Sequence, residues 1–136
     1  MIRALRDPDG ANLDRIQMVK GWVGENGKPM TRVFDVAWSG DRKPDANGKL
    51  PAVDSTVKGA SFTNTVGAAV LGGHWVDPEF DPAQRAYYYV RVLEIPTPSW
   101  LAYDQAYYGD VELPQDAVMV QQERAYTSPI WYAPEN

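Results

Sequence analysis

The chain has 136 residues, a formal net charge of −5 and no cysteine. That is enough for a single domain with a real core, with no disulfide or thiolate metal site. The acidic balance excludes the basic stripe a nucleic-acid partner needs, and no apolar run approaches the roughly 20 residues of a membrane span.

Aromatic residues make up 12 %, with five Trp and eight Tyr, and the eleven Gly and eleven Pro fall between apolar stretches. This distribution predicts short strands joined by turns. The start, MIRALRDPDG, lacks the apolar core of a signal peptide. In DPDGANLD, Asp7, Asp9, Asn12 and Asp14 supply hard oxygens around Gly10, as calcium prefers. The spacing and bidentate glutamate of an EF-hand are absent, and an Asx-rich turn opening a strand explains the run equally well.

LDRIQMVKGWV, Leu13 to Val23, reads as a strand with Ile16, Met18, Trp22 and the stem of Lys20 on one face and Arg15 and Gln17 on the other. GENG supplies a turn, and MTRVFDVAW follows with Met30, Phe34, Val36 and Trp38 alternating against Thr31, Asp35 and Ser39. The two segments predict an antiparallel hairpin. Residues 39–57, polar and broken by Pro44, Gly48 and Pro51, form a long surface loop of the kind that is often functional. Two shorter strands are expected near Gly59–Asn64 and Val70–Val76, then consecutive turns in DPEFDPAQ.

AYYYVRVLEI, Ala86 to Ile95, is apolar on both sides, with Tyr87, Tyr89, Leu93 and Ile95 on one face and Tyr88, Val90 and Val92 on the other. Such a strand is central and covered twice. A short helix near residues 98–107 is expected, capped by Thr97 with Pro98 at its first position. A strand near Val118–Tyr126 and a tail strand Pro129–Tyr132, hinged at Ser128–Pro129, complete the chain. The sum is a mainly β, antiparallel, immunoglobulin-like β-sandwich over 1–136.

No residue is assigned a catalytic role. His74 is the single histidine, and no serine sits in a strand–turn–helix elbow. One histidine without cysteine argues against a zinc centre. Glu94 and Glu123, both on expected strands, are the candidates for a carboxylate pair of the kind glycosidases use, though solvated or salt-bridged surface acids explain them better. Trp22, Trp75, Trp100 and Trp131, with the Tyr87–Tyr89 run, offer stacking platforms for sugar rings, while burial in the core is the simpler use of a strand tryptophan.

The stretches NLDRIQMVKGW, DVAWSGDRKP, DPEFDPAQRAYYYVRVLEIPTPSW and QERAYTSPIWY resemble the C-terminal part of a bacterial family, the domain of unknown function 3604. The resemblance covers roughly Ala11 to Pro134. It implies longer, often exported proteins, similar to metal-dependent hydrolases of the polymerase-and-histidinol-phosphatase type. Their metal ligands lie in an upstream domain, so the resemblance carries no catalytic residue onto this chain and places any divalent metal in that domain.

The expectation is an accessory, non-catalytic C-terminal sandwich, a fragment of a longer protein, that packs on the upstream domain and shapes its cleft. In that reading loop 39–57 reaches the partner, with Trp38, Asp41 and Arg42 as its contacts. The alternative is an independent carbohydrate-binding module using exposed aromatics. Alone, the domain is expected to cover apolar surface by forming a homodimer.

Overall fold

Leu13–Val23 (β2) and Pro29–Trp38 (β3) pair as the predicted antiparallel hairpin in the computed structural model, which describes residues 1–109 and 112–134. Ala86–Glu94 (β5) lies on the other side of β2. The far edge of β5 is taken by Arg124–Tyr126 (β8) and Ile130–Tyr132 (β9), both antiparallel to it. The result is a five-stranded sheet in which β2 and β5 are interior. Ile2–Leu5 (β1) and Val70–Gly73 (β4) form a separate antiparallel ribbon.

That ribbon packs on one face of the sheet. Leu13, Ile16 and Leu71 are its buried centre, joined by Ile2, Ala4, Ala37, Ala68, Val90 and Val92. Further along the same face Lys20 is only 2 % exposed. Its ammonium donates to Asp77 Oδ2 at 2.6 Å and to the Glu79 carbonyl at 2.7 Å, while the Tyr88 hydroxyl donates to the same Asp77 oxygen at 2.8 Å. A buried charge is tolerable when paired and hydrogen-bonded, and here a carboxylate, a carbonyl and the rings of Trp22 and Tyr88 surround the ammonium. The ion pair also fastens the turns of residues 77–82 over the sheet, where Trp75 packs against Phe34 and Tyr88. The fold is therefore a mainly β, antiparallel sandwich of unequal layers: five strands against a ribbon and a loop.

Two β-bulges set which side chains face which way. The pairing of β2 with β3 skips at Val36, so Phe34 lies opposite Met18 on the packed face but Trp38 lies opposite Arg15 on the other. The expected single face for Met30, Phe34, Val36 and Trp38 is corrected by this one extra residue. A second skip, between β2 and β5, falls at Asp14, where the kink lets the adjacent side chains of Asp14 and Arg15 touch.

Other boundaries shift for identifiable reasons. No strand forms at Gly59–Asn64, which keeps one isolated bridge, Lys58 to Ser61. Its backbone is answered by side chains instead, as in the Thr63 N–H to Thr56 Oγ1 bond. β4 ends at Gly73 and not at Val76. Thr97–Pro98 (β6) pairs with Val120–Gln121 (β7), so neither residue caps or opens the helix. That helix, α1, runs Trp100–Tyr108 with Ser99 in the cap position and Ser99 Oγ donating to the Val118 carbonyl. The predicted strand Val118–Tyr126 is split into β7 and β8 by Gln122, whose side chain donates to the Glu94 carbonyl. The tail behaves as two halves of one edge strand, and Thr127 bridges them. Its N–H donates to the Val90 carbonyl, and its hydroxyl accepts from the Val90 N–H.

Candidate functional site

The second face of the sheet is covered only at one end. Register fixes its composition row by row, because directly paired residues share a face. The first row is Trp38, Arg15, Leu93 and Arg124; the second is Asp35, Gln17, Arg91 and Tyr126. Next come Val33, Val19 and Tyr89, then Thr31, Gly21, Tyr87 and Trp131. Along roughly 20 Å of strand the face thus changes from charged to aromatic.

At the charged end, loop 39–57 folds back over the sheet. Leu50 is buried, and the Arg15 guanidinium donates to the Leu50 and Pro51 carbonyls at 3.2 and 2.7 Å. Its Nε reaches Asp14 Oδ2 at 2.9 Å. Arg42 turns inward as well, donating to the carbonyls of Asp14, Ser39 and Pro51, with Nη2 at 2.6 Å from Asp14 Oδ1. Asp14, only 1 % exposed, is held between two guanidinium groups, its Oδ1 balanced by charge with no well-formed hydrogen bond. The charge expected to project from Arg42 is therefore engaged inside the domain, which pins the loop instead of extending it. Asp41 is exposed beside it, and Trp38 is half-buried with its indole N–H on the Arg42 carbonyl at 2.8 Å.

At the aromatic end the ring of Tyr87 lies across Gly21, where any Cβ would collide with it. Tyr87 and Tyr89 are near parallel, 7° apart with centroids at 6.4 Å. Tyr126 continues the strip beyond Tyr89 and Trp131 continues it beyond Tyr87. Tyr126 is 56 % and Trp131 73 % exposed, each held from one side by a β5 tyrosine. A groove of about 410 Å³ lined by Trp22, Met30, Tyr87 and Trp131 lies at this end.

The stacking candidates separate. Trp131 lies on the open face, and Trp22 borders its groove, while Trp75 belongs to the packed side. Trp100 is exposed on α1, remote in sequence pairing from the strip, beside a pocket of about 430 Å³ that also contains Asp9, Tyr103, Glu94 and Glu123. Glu94 and Glu123 are thus neighbours: the Glu94 N–H donates to the Glu123 carbonyl. Burial pushes the Glu94 carboxyl above its usual range, the nearby Glu123 and Asp7 charges push it further, and the Ala11 N–H and Arg6 oppose them. On the packed face burial also raises Asp77. Hydrogen bonds from Lys20, the Glu79 backbone and Tyr88, with the Lys20 charge, outweigh burial and hold Asp77 below the usual carboxylate range. Tyr88 is pushed well above the usual phenol range by burial and by Asp77.

The calcium candidates do not converge. Asp7 accepts from the Asp9 N–H in an Asx turn, the Asn12 amide donates to the Asn64 and Val66 carbonyls, and Asp14 points to the arginines. Among the described residues no group of three acids or histidines is placed to hold a metal ion. His74 is exposed just past β4, with no serine bonded to it among the described residues. Sequence reasoning missed Arg91, Arg124 and Tyr126; the alternation of 87, 89 and 91 on β5 was the available signal for Arg91, while Arg124 and Tyr126 join it only through the β5–β8 register.

The family model described as "Protein of unknown function (DUF3604)" matches residues 1–134, so the chain belongs to that family. No curated protein and no solved structure matches it.

Proposed function

We propose, taking membership of this family as premise, that the chain is a non-catalytic accessory β-domain of a metal-dependent hydrolase-like protein. Its uncovered sheet face forms a wall of the neighbouring domain's substrate cleft. The observation that supports this reading is the asymmetry of the sheet. One face is closed by a ribbon and a buried ion pair, and the other keeps the Tyr126–Tyr89–Tyr87–Trp131 strip open beside a basic pocket. Large open aromatic surface next to polar groups is what recognition sites use. The resemblance to the polymerase-and-histidinol-phosphatase type supplies the neighbour, with any divalent metal and the bond-breaking step assigned to that upstream domain.

The experiment uses a longer family member that contains this region. Trp131→Ala and Tyr126→Ala should lower kcat/KM on an extended substrate by roughly two- to tenfold, since stacking on one ring is worth about 0.5–1.5 kcal/mol. Turnover of a small soluble ester or phosphate by the same variants should stay at the parent value. Equal kinetics on the extended substrate would remove the proposal.

A second reading, a free-standing carbohydrate-binding module, is favoured by the near-parallel Tyr87 and Tyr89 rings with exposed Trp131 at their side. It is distinguished by saccharide binding to the 136-residue chain with no other domain present.

A further inference from the structure

We propose that the pocket between Arg91, Arg124 and Lys49 is an oxoanion site. It takes the carboxylate or sulfate group of an acidic saccharide whose rings lie on Tyr126 and Tyr89. The proposal rests on the second reading above, the open face as a carbohydrate-binding surface of the chain itself, and adds the charge of the ligand.

The pocket, about 330 Å³, lies between the sheet and residues 49–53. Four cationic side chains line it, Arg15, Lys49, Arg91 and Arg124, against a single carboxylate, Asp14. Arg15 and Arg42 already neutralise Asp14. Among the described residues no ion pair includes Lys49, Arg91 or Arg124. In a chain of net charge −5, this is a local concentration of unmatched positive charge.

Arg91 is also pre-oriented. Asp35 Oδ1 accepts from Gln17 Nε2 at 2.8 Å, and Gln17 Oε1 accepts from Arg91 Nε at 2.8 Å. That relay fixes the guanidinium plane through Nε and leaves both Nη groups without a partner among the described residues. A half-buried guanidinium with its two terminal nitrogens unused is the donor set that a planar carboxylate or a sulfate accepts. Arg124 and Lys49 border the same space and add charge without competing bonds. Register then names the class of ligand. Tyr126 pairs directly with Arg91, and its ring continues onto Tyr89, so a stacking platform begins at the residue paired with one of the pocket's arginines. A uronic acid or a sulfated sugar joins those two chemistries in one residue.

The test is titration calorimetry on the full 136-residue chain at low ionic strength, with four probes. They are oligogalacturonate, a neutral galacto-oligosaccharide of equal length, oligoglutamate of equal charge, and inorganic sulfate. Oligogalacturonate should bind at least tenfold more tightly than the neutral sugar or the peptide, with sulfate competing weakly. Arg124→Gln and Lys49→Gln, at side chains with no partner to lose among the described residues, should each weaken it roughly tenfold. Arg32→Gln on the opposite face should leave it unchanged. Equal affinity of the two variants and the parent overturns the site. Equal binding of neutral and acidic sugars overturns the oxoanion site while the saccharide-contacting face survives. Equal binding of oligoglutamate, or binding of sulfate alone, overturns the saccharide assignment. No binding of either sugar removes the site together with the reading beneath it.

Discussion

The two faces of the five-stranded sheet handle charge in opposite ways. On the packed face Lys20 is almost wholly buried, yet Asp77, the Glu79 carbonyl and the rings of Trp22 and Tyr88 surround it. On the open face Arg15 is equally well matched, by Asp14 and two loop carbonyls, while Arg91 beside it has Gln17 alone among the described residues. The same sheet thus contains a closed polar network and an open one within a few residues. Arg91 is only half-buried, so water answers its terminal nitrogens in the free chain, and those are the donors offered to the proposed ligand.

The comparison breaks most sharply at Asp77. Asp77→Ala leaves Lys20 buried and unpaired, and chemical denaturation should show a loss of about 3–5 kcal/mol. Lys20→Met combined with Asp77→Ala should recover much of it, because an apolar pair of similar size tolerates burial. If the double variant is as unstable as the single one, the packed face is held by something other than that ion pair.

Gly21→Ala should cost about 1–3 kcal/mol by overpacking, since its Cβ meets the Tyr87 ring. Near-ultraviolet dichroism should change with it as Tyr87 leaves Tyr89. An unchanged spectrum would separate Gly21 from the aromatic strip.

Trp131→Ala and Tyr126→Ala should shift denaturation midpoints little, within about 1 kcal/mol, because both side chains are mostly in solvent. A large loss of stability would show that the strip belongs to the core and not to a binding surface.

The smallest effects are in pH. Asp77 is held low, so its contribution is full at neutral pH and is lost as pH falls through its depressed folded value. Glu94 is held high, so folding binds its proton more tightly. Its penalty is present at neutral pH and is relieved as pH falls through the raised value. Thermal melts from pH 7 downward should therefore show Glu94→Gln more stable than the parent at neutral pH, the difference closing in mild acid. Asp77 variants should lose their disadvantage only in stronger acid.

Much of the fold was readable in the chain. The β2–β3 hairpin, the interior position of β5 and the jointed tail strand follow from alternation, turn residues and Pro129. The faces were less readable, because a single bulge at Val36 moves Trp38 away from Phe34 and no residue type announces a bulge in advance. Thr97–Pro98 carries a helix-start signature but is recruited as a strand by Val120–Gln121, a pairing between segments more than 20 residues apart. The site suffers the same difficulty. Loop 39–57 looked like a reaching element, yet its Arg42 is drawn inward by Asp14, a carboxylate whose sequence context fitted a calcium loop and an Asx-rich turn equally well. Arg91 and Arg124 drew no reading from the sequence; the register sets Arg91 opposite Gln17 and Tyr126, and Arg124 opposite Leu93 in the next row.

The most direct measurement is a ¹H–¹⁵N spectrum of the 136-residue chain, titrated with oligogalacturonate, following the five tryptophan indole N–H signals and the arginine Nε–H signals. The account predicts that Trp131, Arg91 and Arg124 move together with one dissociation constant, while Trp75 of the packed face and Trp38, bonded to the Arg42 carbonyl, stay in place. Movement centred on Trp75 or Trp100 with Trp131 unmoved, or no movement at all, would contradict it.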